Sequence, residues 1–154
     1  MLEVKVTNYD LLQKQVSSLI EDDSNTIAIL SNVSALLNDS LDQINWVGFY
    51  LMEENELILG PFQGHPACVH IPVGKGVCGT AVAENETQLV EDVNAFPGHI
   101  ACDANSKSEI VVPIHKNNKV IGVLDIDAPI TNRFGNDDQI GLEKVVAIIE
   151  QQLT

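Results

Sequence analysis

The sequence predicts an α+β fold in which an antiparallel sheet has helices packed against one face. Two stretches with helical spacing come first, two pairs of strand-like segments follow, and a further helical stretch closes the chain. Strands joined by tight turns pair antiparallel, and helices grouped before and after them are typical of this fold class. With 154 residues, the chain suits a single domain over residues 1–154, with residues 1–25 as a helical extension packed on it.

Three segments, residues 10–20, 26–41 and 136–153, place apolar side chains three or four positions apart, which is the spacing of one helix face. We expect the first two helices to support the fold and to carry no chemistry. The apolar residues expected on their buried faces are Leu11, Leu12, Val16, Leu19, Ile20, Ile27, Leu30, Val33, Leu36 and Leu37.

The first predicted hairpin joins residues 44–52 to residues 56–62 through a polar turn. Alternation along the first strand places Trp46 and Tyr50 on the same face. Both are either ordinary core aromatics or the wall of a small-molecule pocket. In such a pocket the ring supplies apolar surface and its polar tip supplies one hydrogen bond.

Glycine and proline interrupt the chain here, which predicts a loop or short strand over residues 64–74, and a short helix is predicted over residues 76–84. The first backbone N–H groups of that helix are free to bind an anion such as a carboxylate. No Gly-Lys-Ser/Thr follows the glycines, so the segment is not a phosphate-binding loop of the Walker type. We expect no cofactor.

Acidic side chains mark the second predicted hairpin, which joins residues 109–115 to residues 119–127. Asp125 and Asp127 are two positions apart on a strand, so they share a face. Like charges raise each other's pKa, so one of the two, or Glu109, is a candidate proton donor, and together they can bind a substrate ammonium group. The alternative is that the aspartates only cap the strand end beside a turn.

The position of Glu109 depends on the register of this hairpin. With a two-residue turn at 117–118, Lys116 pairs with Lys119 and Glu109 lies opposite Ile126, facing away from both aspartates. A bulge or a longer loop shifts the pairing by one residue and puts the three acids on one face. The functional interpretation therefore requires such an irregularity.

Three cysteines, at positions 68, 78 and 102, are too few and too widely spaced for a disulfide framework, a CxxC motif or a zinc pattern. Cys102 lies in a long polar loop just before the acid-bearing hairpin, and such loops are usually functional or mobile. A buried, inert cysteine is the alternative for any one of them.

The four histidines have no ligand spacing on a common element, so we predict no metal site. His65 and His99 lie close in sequence to Cys68 and Cys102 and are candidates to tune a thiol.

The charge of the chain argues against two classes of partner. Acidic residues number 22 and basic residues 8, which gives a net charge of −14 without any cluster of Lys or Arg. Nucleic acid and anionic membrane surfaces attract basic patches, so neither is an expected partner. No apolar run approaches the roughly 18 residues of a membrane span, and no signal peptide is apparent, so we expect a cytoplasmic protein.

Several of these stretches together resemble one family. They are WVGFY from Trp46, GPFQGHPACVHIPVGKGVCGTA from Gly60, CDANSKSEIVVP from Cys102, LDIDA from Leu124 and NRF from Asn132. The chain is similar to GAF-type domains and, among them, closely resembles the free methionine-(R)-sulfoxide reductases from about residue 25 onward.

The resemblance implies a six-stranded antiparallel sheet flanked by helices. It implies Cys102 as the catalytic cysteine, Cys68 as the resolving one, and Cys78 at the pocket with a less settled role. It also implies an enzyme that returns free methionine (R)-sulfoxide to methionine in oxidative-stress repair and is recycled by thioredoxin. The residues expected to bind and polarise the substrate are Trp46, Tyr50, Glu109, Asp125 and Asp127.

Elementary chemistry agrees with this residue set. Reducing a sulfoxide requires a thiolate to attack sulfur and an acid to protonate the departing oxygen. The product sulfenic acid is protected from further oxidation when a second thiol condenses with it to a disulfide, and a dithiol protein then reduces that disulfide. The oligomeric state stays open, and a homodimer is one option.

Two alternatives remain at this point. One is a GAF sensory module that binds a small ligand without catalysis, although such modules usually belong to longer chains and need no three cysteines around a pocket. The other is a thiol redox sensor in which Cys102 and Cys68 respond directly to oxidant.

Overall fold

The structure, a computed structural model, describes residues 3–100 and 102–153. Six strands form one antiparallel sheet of order β3-β2-β1-β6-β5-β4, which confirms the predicted fold class. Within the described residues, no helix has the length and apolar character needed to cross a membrane. The elements in chain order are α1 (Tyr9–Ile20), α2 (Thr26–Ser40), β1 (Trp46–Glu53), β2 (Glu56–Gln63), β3 (His70–Pro72), α3 (Gly76–Glu84), β4 (Gln88–Val90), a 3₁₀ turn (Val93–Ala95), β5 (Ser108–Lys116), β6 (Lys119–Ala128) and α4 (Asn136–Gln152).

Helices α1, α2 and α4 cover one face of the sheet and form the larger core with it. Their buried stripes are narrower than the sequence suggests, because Leu11, Leu19 and Ile27 are exposed while Ile29 is buried. An apolar residue at the edge of a helix face points past the sheet, so spacing alone overestimates burial. The residues that α1 and α2 bury in this core include Leu12, Val16, Ile20, Ile29, Leu30, Val33 and Leu37.

Helix α3 packs on the opposite face, so the expectation that all helices cover one face is wrong. It joins a second, smaller apolar cluster together with Trp46 and Tyr50. Its buried apolar residues Val77 and Ala81 pack there. At Gly79 a Cβ atom would stand 2.5 Å from the carbonyl oxygen of Pro72. Glycine, which has no Cβ atom, is therefore needed where α3 passes this close to the end of β3.

Strand β1 alternates as predicted. Trp46 and Tyr50 belong to the smaller cluster, whereas Val47 and Phe49 lie in the larger core. Gly48, in the middle of β1, lets β2 pass close to the backbone of β1, since a Cβ atom at Gly48 would be 2.3 Å from the Cβ atom of Phe62. The two faces of one strand therefore serve two different cores.

The β5–β6 hairpin contains the irregularity that the functional interpretation requires. Asn117 and Asn118 both have positive φ angles, 53° and 64°, which is the two-residue turn favoured in hairpins. The turn pairs Lys116 with Lys119, and a bulge then shifts the register so that Glu109 lies opposite Asp127. The prediction of an irregular hairpin is confirmed.

Candidate active site

A pocket lies on the α3 side of the sheet, between β1, β5, β6, helix α3 and the loop that carries Cys102. Its cavity has a volume of about 50 Å³, which is room for a few water molecules. The sequence-predicted residues that line it are Trp46, Tyr50, Cys78, Cys102, Glu109, Asp125 and Asp127. The remaining one, Cys68, is joined to this pocket through a disulfide bond.

The three acids reach the pocket from two adjacent strands. Glu109 on β5 lies opposite Asp127 on β6, and Asp125 follows on the same face of β6. Glu109 and Asp125 are buried, and Asp127 is partly buried. Strand β6 continues to Ala128, so the aspartates belong to the pocket wall and do not simply cap a strand end.

All three acids have a pKa above the ordinary value, and burial is the largest cause in each case. The pKa is raised furthest, well above the ordinary value, for Glu109 and Asp127. The neighbouring charge of Asp125 raises the pKa of both Glu109 and Asp127 further. Asp125 itself receives hydrogen bonds from Glu109 and Cys78, which partly offset burial and favour its ionised form. The arrangement therefore favours a protonated Glu109 beside an ionised Asp125.

Cys78 forms the floor of the pocket from the first turn of α3. Its thiol is buried, and burial raises its pKa well above the ordinary value. Asp125 adds to this effect and hydrogen-bonds the thiol. A protonated thiol is a poor nucleophile, so Cys78 is suited to hold Asp125 in place and poorly suited to attack a substrate.

Cys78, Glu109 and Asp125 also place their ligand atoms within 4.8 Å of one another, which is a geometry that can hold a metal ion. The spacing of the histidines does not indicate this group, because it contains no histidine and its three members come from α3, β5 and β6. The donor set of one thiol and two carboxyl groups coincides with the floor of the pocket.

Cys68 and Cys102 form a disulfide across 34 residues of sequence, with Cα atoms 5.5 Å apart. This is the pair that the family resemblance singles out. Cys68 lies between β2 and β3, Cys102 lies before β5, and both are partly exposed. The bond connects two loops over the rim of the pocket.

Trp46 and Tyr50 form an apolar wall. The rings stack on each other with centroids 5.9 Å apart, and Trp46 also stacks on Phe62. Their polar tips are occupied, since the Trp46 indole donates to the carbonyl of His65 and the Tyr50 hydroxyl donates to the carbonyl of Cys68. In this oxidised form the expected hydrogen bond from a polar tip to a ligand is therefore made to the Cys68 loop instead.

Helix α3 presents its N-terminus to the pocket. Its N-cap Lys75 makes no side-chain capping bond, so the first N–H groups lack a capping acceptor. The Ile100 side chain packs over Gly76, 3.2 Å from where a Cβ atom would lie.

His99 also lines the pocket. Burial lowers the pKa of His99, and the Asp125 charge opposes this effect.

Sequence reasoning missed several residues that line the pocket or hold its loops. Loop residues show no periodicity, so the pattern assigns them no role, although Lys75, Asp103 and Ser106 fall within the stretches that carry the family resemblance. The missed residues are Asn45, Lys75, Ile100, Asp103 and Ser106.

Comparison with known proteins places the chain in a family. The GAF domain family matches residues 23–153. The chain is 52% identical over 149 residues to the free methionine-R-sulfoxide reductase of Escherichia coli, covering 97% of this chain and 90% of that protein.

Two solved structures are also similar. The reduced form of the fRMsr of Staphylococcus aureus superposes with a TM-score of 0.98 at 73% identity and covers all of both chains, 100% and 100%. The free methionine-R-sulfoxide reductase of Neisseria meningitidis, in complex with its substrate, gives a TM-score of 0.92 at 39% identity, covering 99% of this chain and 94% of that one. The chain therefore belongs to the GAF domain family and, within it, to the free methionine-R-sulfoxide reductases.

Proposed function

We propose that this protein reduces free L-methionine (R)-sulfoxide to methionine, with Cys102 as the nucleophile and Cys68 as the resolving thiol. The observation that carries the proposal is the Cys68–Cys102 disulfide at the rim of a pocket lined by three acids, two of them buried. The relatives' names supply the substrate, its oxidation state and its epimer.

In the first step, the Cys102 thiolate attacks the sulfoxide sulfur and Glu109 gives its proton to the departing oxygen. The oxygen ends on Cys102 as a sulfenic acid, and methionine leaves. Glu109 suits the role of acid because burial and two neighbouring carboxylates raise its pKa and keep it protonated. In the second step, Cys68 displaces that oxygen as water and forms the disulfide.

The charges around the pocket favour a free amino acid. Asp125 and Asp127 can bind the substrate ammonium group, and the uncapped N-terminus of α3 can bind its carboxylate. An N-acylated methionine sulfoxide lacks the ammonium group and would leave buried carboxylates without a partner. Such a loss typically costs about 1–3 kcal/mol, roughly ten- to a hundredfold in kcat/KM.

A dithiol protein, thioredoxin, is the proposed reductant. The disulfide is partly exposed, and the adjacent residues Val69 and Ile100 are 50% and 36% exposed, which gives a partner an apolar surface beside the bond. No acidic residue occurs from 57 to 83, although the chain has 22. The attacking group is a thiolate, so the lack of carboxylates in the Cys68 segment favours its approach from that side of the bond, whereas Asp103 directly follows Cys102 on the other side.

Catalysis with free thiols requires a reducing compartment, so we keep the cytoplasm as the proposed location and repair of oxidised methionine as the proposed role. A homodimer stays a prediction.

The test incubates the protein with free methionine (R)-sulfoxide and thioredoxin and measures methionine by amino-acid analysis. Cys102→Ser should release none. Cys68→Ser should release one methionine per enzyme and then stop, because no disulfide forms. Sustained turnover by a folded Cys102→Ser protein would remove Cys102 from its role, and normal turnover by Cys68→Ser would transfer resolution to Cys78.

A substrate control separates this enzyme from a sensor. Free methionine sulfoxide should exceed its N-acetyl derivative in kcat/KM by at least tenfold, for the reason given above. If the wild type forms the disulfide with peroxide but releases no methionine from either compound, it is a thiol redox sensor and the proposal fails.

A further inference from the structure

We infer that Tyr50 and Trp46 are positioning residues for the resolving cysteine: strand β1 holds the Cys68 loop in place, and closure of the disulfide depends on the Tyr50 hydroxyl. The inference deepens the proposed function, on which it rests for the identity of the oxidising substrate.

Two side-chain hydrogen bonds attach the Cys68 loop, residues 64–69, to the sheet. The Tyr50 hydroxyl donates to the Cys68 carbonyl at 2.9 Å, and the Trp46 indole donates to the His65 carbonyl at 3.1 Å. Residues 64–69 lie between the ends of β2 and β3. Among the described residues, these two hydrogen bonds join the backbone of His65 and of Cys68 to side chains of β1.

The donors are held rigidly. Trp46 and Tyr50 are each only 2% exposed, and the Trp46 ring stacks with both Tyr50 and Phe62. The loop presses against the indole at Gly64, which has a φ of 140° and where a Cβ atom would be 2.5 Å from Trp46 Cδ1. A rigid donor fixes the position of its acceptor more closely than a mobile one.

The opposite cysteine loop is tied to the same end of β1. The Asn45 side chain donates to Asp103 Oδ2 at 3.2 Å and to Ser106 Oγ at 3.1 Å, and Asp103 follows Cys102 directly. Adjacent residues, Asn45 and Trp46, thus hold the two loops that the disulfide connects. Both loops that the disulfide connects are therefore attached to the same strand, near its start.

This arrangement acts on the second step of the reaction. The Cys68 thiolate attacks the sulfenic sulfur of Cys102, an S–S bond forms, the S–O bond breaks, and hydroxide leaves as water after taking a proton. The rate of such an intramolecular step follows the effective concentration of the attacking group. A loop released from one hydrogen bond should spend about five- to tenfold less time within reach.

The first experiment compares Tyr50→Phe with Tyr9→Phe. The Tyr9 hydroxyl donates to Asp138 at 2.6 Å on the far face of the sheet, so the control loses an equivalent bond elsewhere. In a single turnover without reductant, methionine release and disulfide formation are timed separately by rapid quench and alkylation. The ratio of the closure rate to the release rate should fall about five- to tenfold in Tyr50→Phe only. The sulfenic acid on Cys102 should also become trappable.

General damage to the pocket would slow both steps and leave their ratio unchanged. The inference is overturned if Tyr50→Phe keeps the wild-type ratio, or if Tyr9→Phe changes it equally.

The second experiment uses hydrogen peroxide, which oxidises Cys102 to the same sulfenic acid without any substrate. Tyr50→Phe should again close the disulfide about five- to tenfold more slowly than the wild type and Tyr9→Phe. If Tyr50→Phe closes the disulfide slowly after peroxide but the wild type releases no methionine from methionine sulfoxide, the positioning role is supported and the proposed function is wrong. Equal closure rates after peroxide would overturn the positioning role, whatever the activity.

Discussion

The two faces of the sheet differ sharply although the same strands build them. On β6, Leu124 and Ile126 point into the apolar core under the helices, whereas Asp125 and Asp127 point into the pocket. Burying carboxyl groups opposes folding, while burying aliphatic side chains favours it. Alternate residues along one strand therefore have different roles: those on the helix side stabilise the fold, and those on the pocket side carry the chemistry.

This division implies that neighbouring residues on β5 and β6 can be changed with opposite consequences. A substitution on the helix side should alter the free energy of unfolding, and a substitution on the pocket side should alter catalysis.

The largest expected effect is on the pocket side, at Glu109. Glu109→Gln keeps the shape of the side chain but removes the proton that we assign to the leaving oxygen. We expect kcat/KM for methionine sulfoxide to fall about 10²- to 10⁴-fold, with an unchanged circular-dichroism spectrum. A variant that retains activity within a factor of ten would move the proton donor to another acid.

The next effect compares two adjacent residues of β6. Leu124→Ala should lower the free energy of unfolding by about 2–5 kcal/mol, because it leaves a cavity in the larger core. Asp125→Asn should change stability by less than about 1 kcal/mol, because it removes a buried charge while its amide oxygen can still accept hydrogen bonds from Glu109 and Cys78. It should reduce activity strongly. Urea unfolding of both variants, in the disulfide form, measures the difference. Equal losses of stability would contradict the division between faces.

The pH dependence of stability sharpens the comparison further. Because burial raises the pKa of Glu109 and Asp127 above the unfolded values of 4.5 and 3.8, the folded protein binds more protons than the unfolded chain. Their contribution is fully present below those values and is lost as pH rises through the folded pKa of each group, by at most about 1.4 kcal/mol per pH unit for each. Melting temperatures from pH 5 to 8 should therefore fall less in Asp127→Asn than in the wild type. Parallel curves would show that Asp127 titrates normally.

The smallest expected effect lies on the helix side, at Tyr9. We propose that the N-terminal extension folds as part of the same domain over residues 3–25, while residues 1 and 2 of the predicted extension lie outside the described residues. The hydrogen bond from Tyr9 on α1 to Asp138 on α4 is one of its attachments. Tyr9→Phe should lower the free energy of unfolding by about 1 kcal/mol and leave kcat/KM unchanged. Early, separate melting of α1 in hydrogen exchange of the wild type would contradict the proposal.

Much of this division was accessible from the sequence. Alternation along β1 assigned Trp46 and Tyr50 to the face opposite Val47, and the spacing of Asp125 and Asp127 assigned both to one face. These inferences succeed because a strand has a fixed period of two residues, whatever surrounds it.

Other features depend on contacts between distant segments, which no local period encodes. Helix α3 packs on the pocket side through apolar contacts with other segments, and its backbone passes close to Pro72 at Gly79. The hydrogen bond from Asn45 to Asp103 likewise joins segments that are 58 residues apart. The irregular hairpin was required by the chemistry, yet its position could not be read from the residues. Bulges depend on how the neighbouring strand, here β1, fixes β6.

The bulge lies on β6 at Ile121, since Ile114 pairs with Gly122 and His115 with Val120. Strand β1 holds β6 from Gly122 onward, so the length of chain between this point and the turn decides which face Glu109 occupies. Loss or gain of one residue there would turn Glu109 toward the apolar core, whereas a change of two would return it to the pocket. An insertion or deletion in this stretch is therefore compatible with the active site only when it adds or removes an even number of residues.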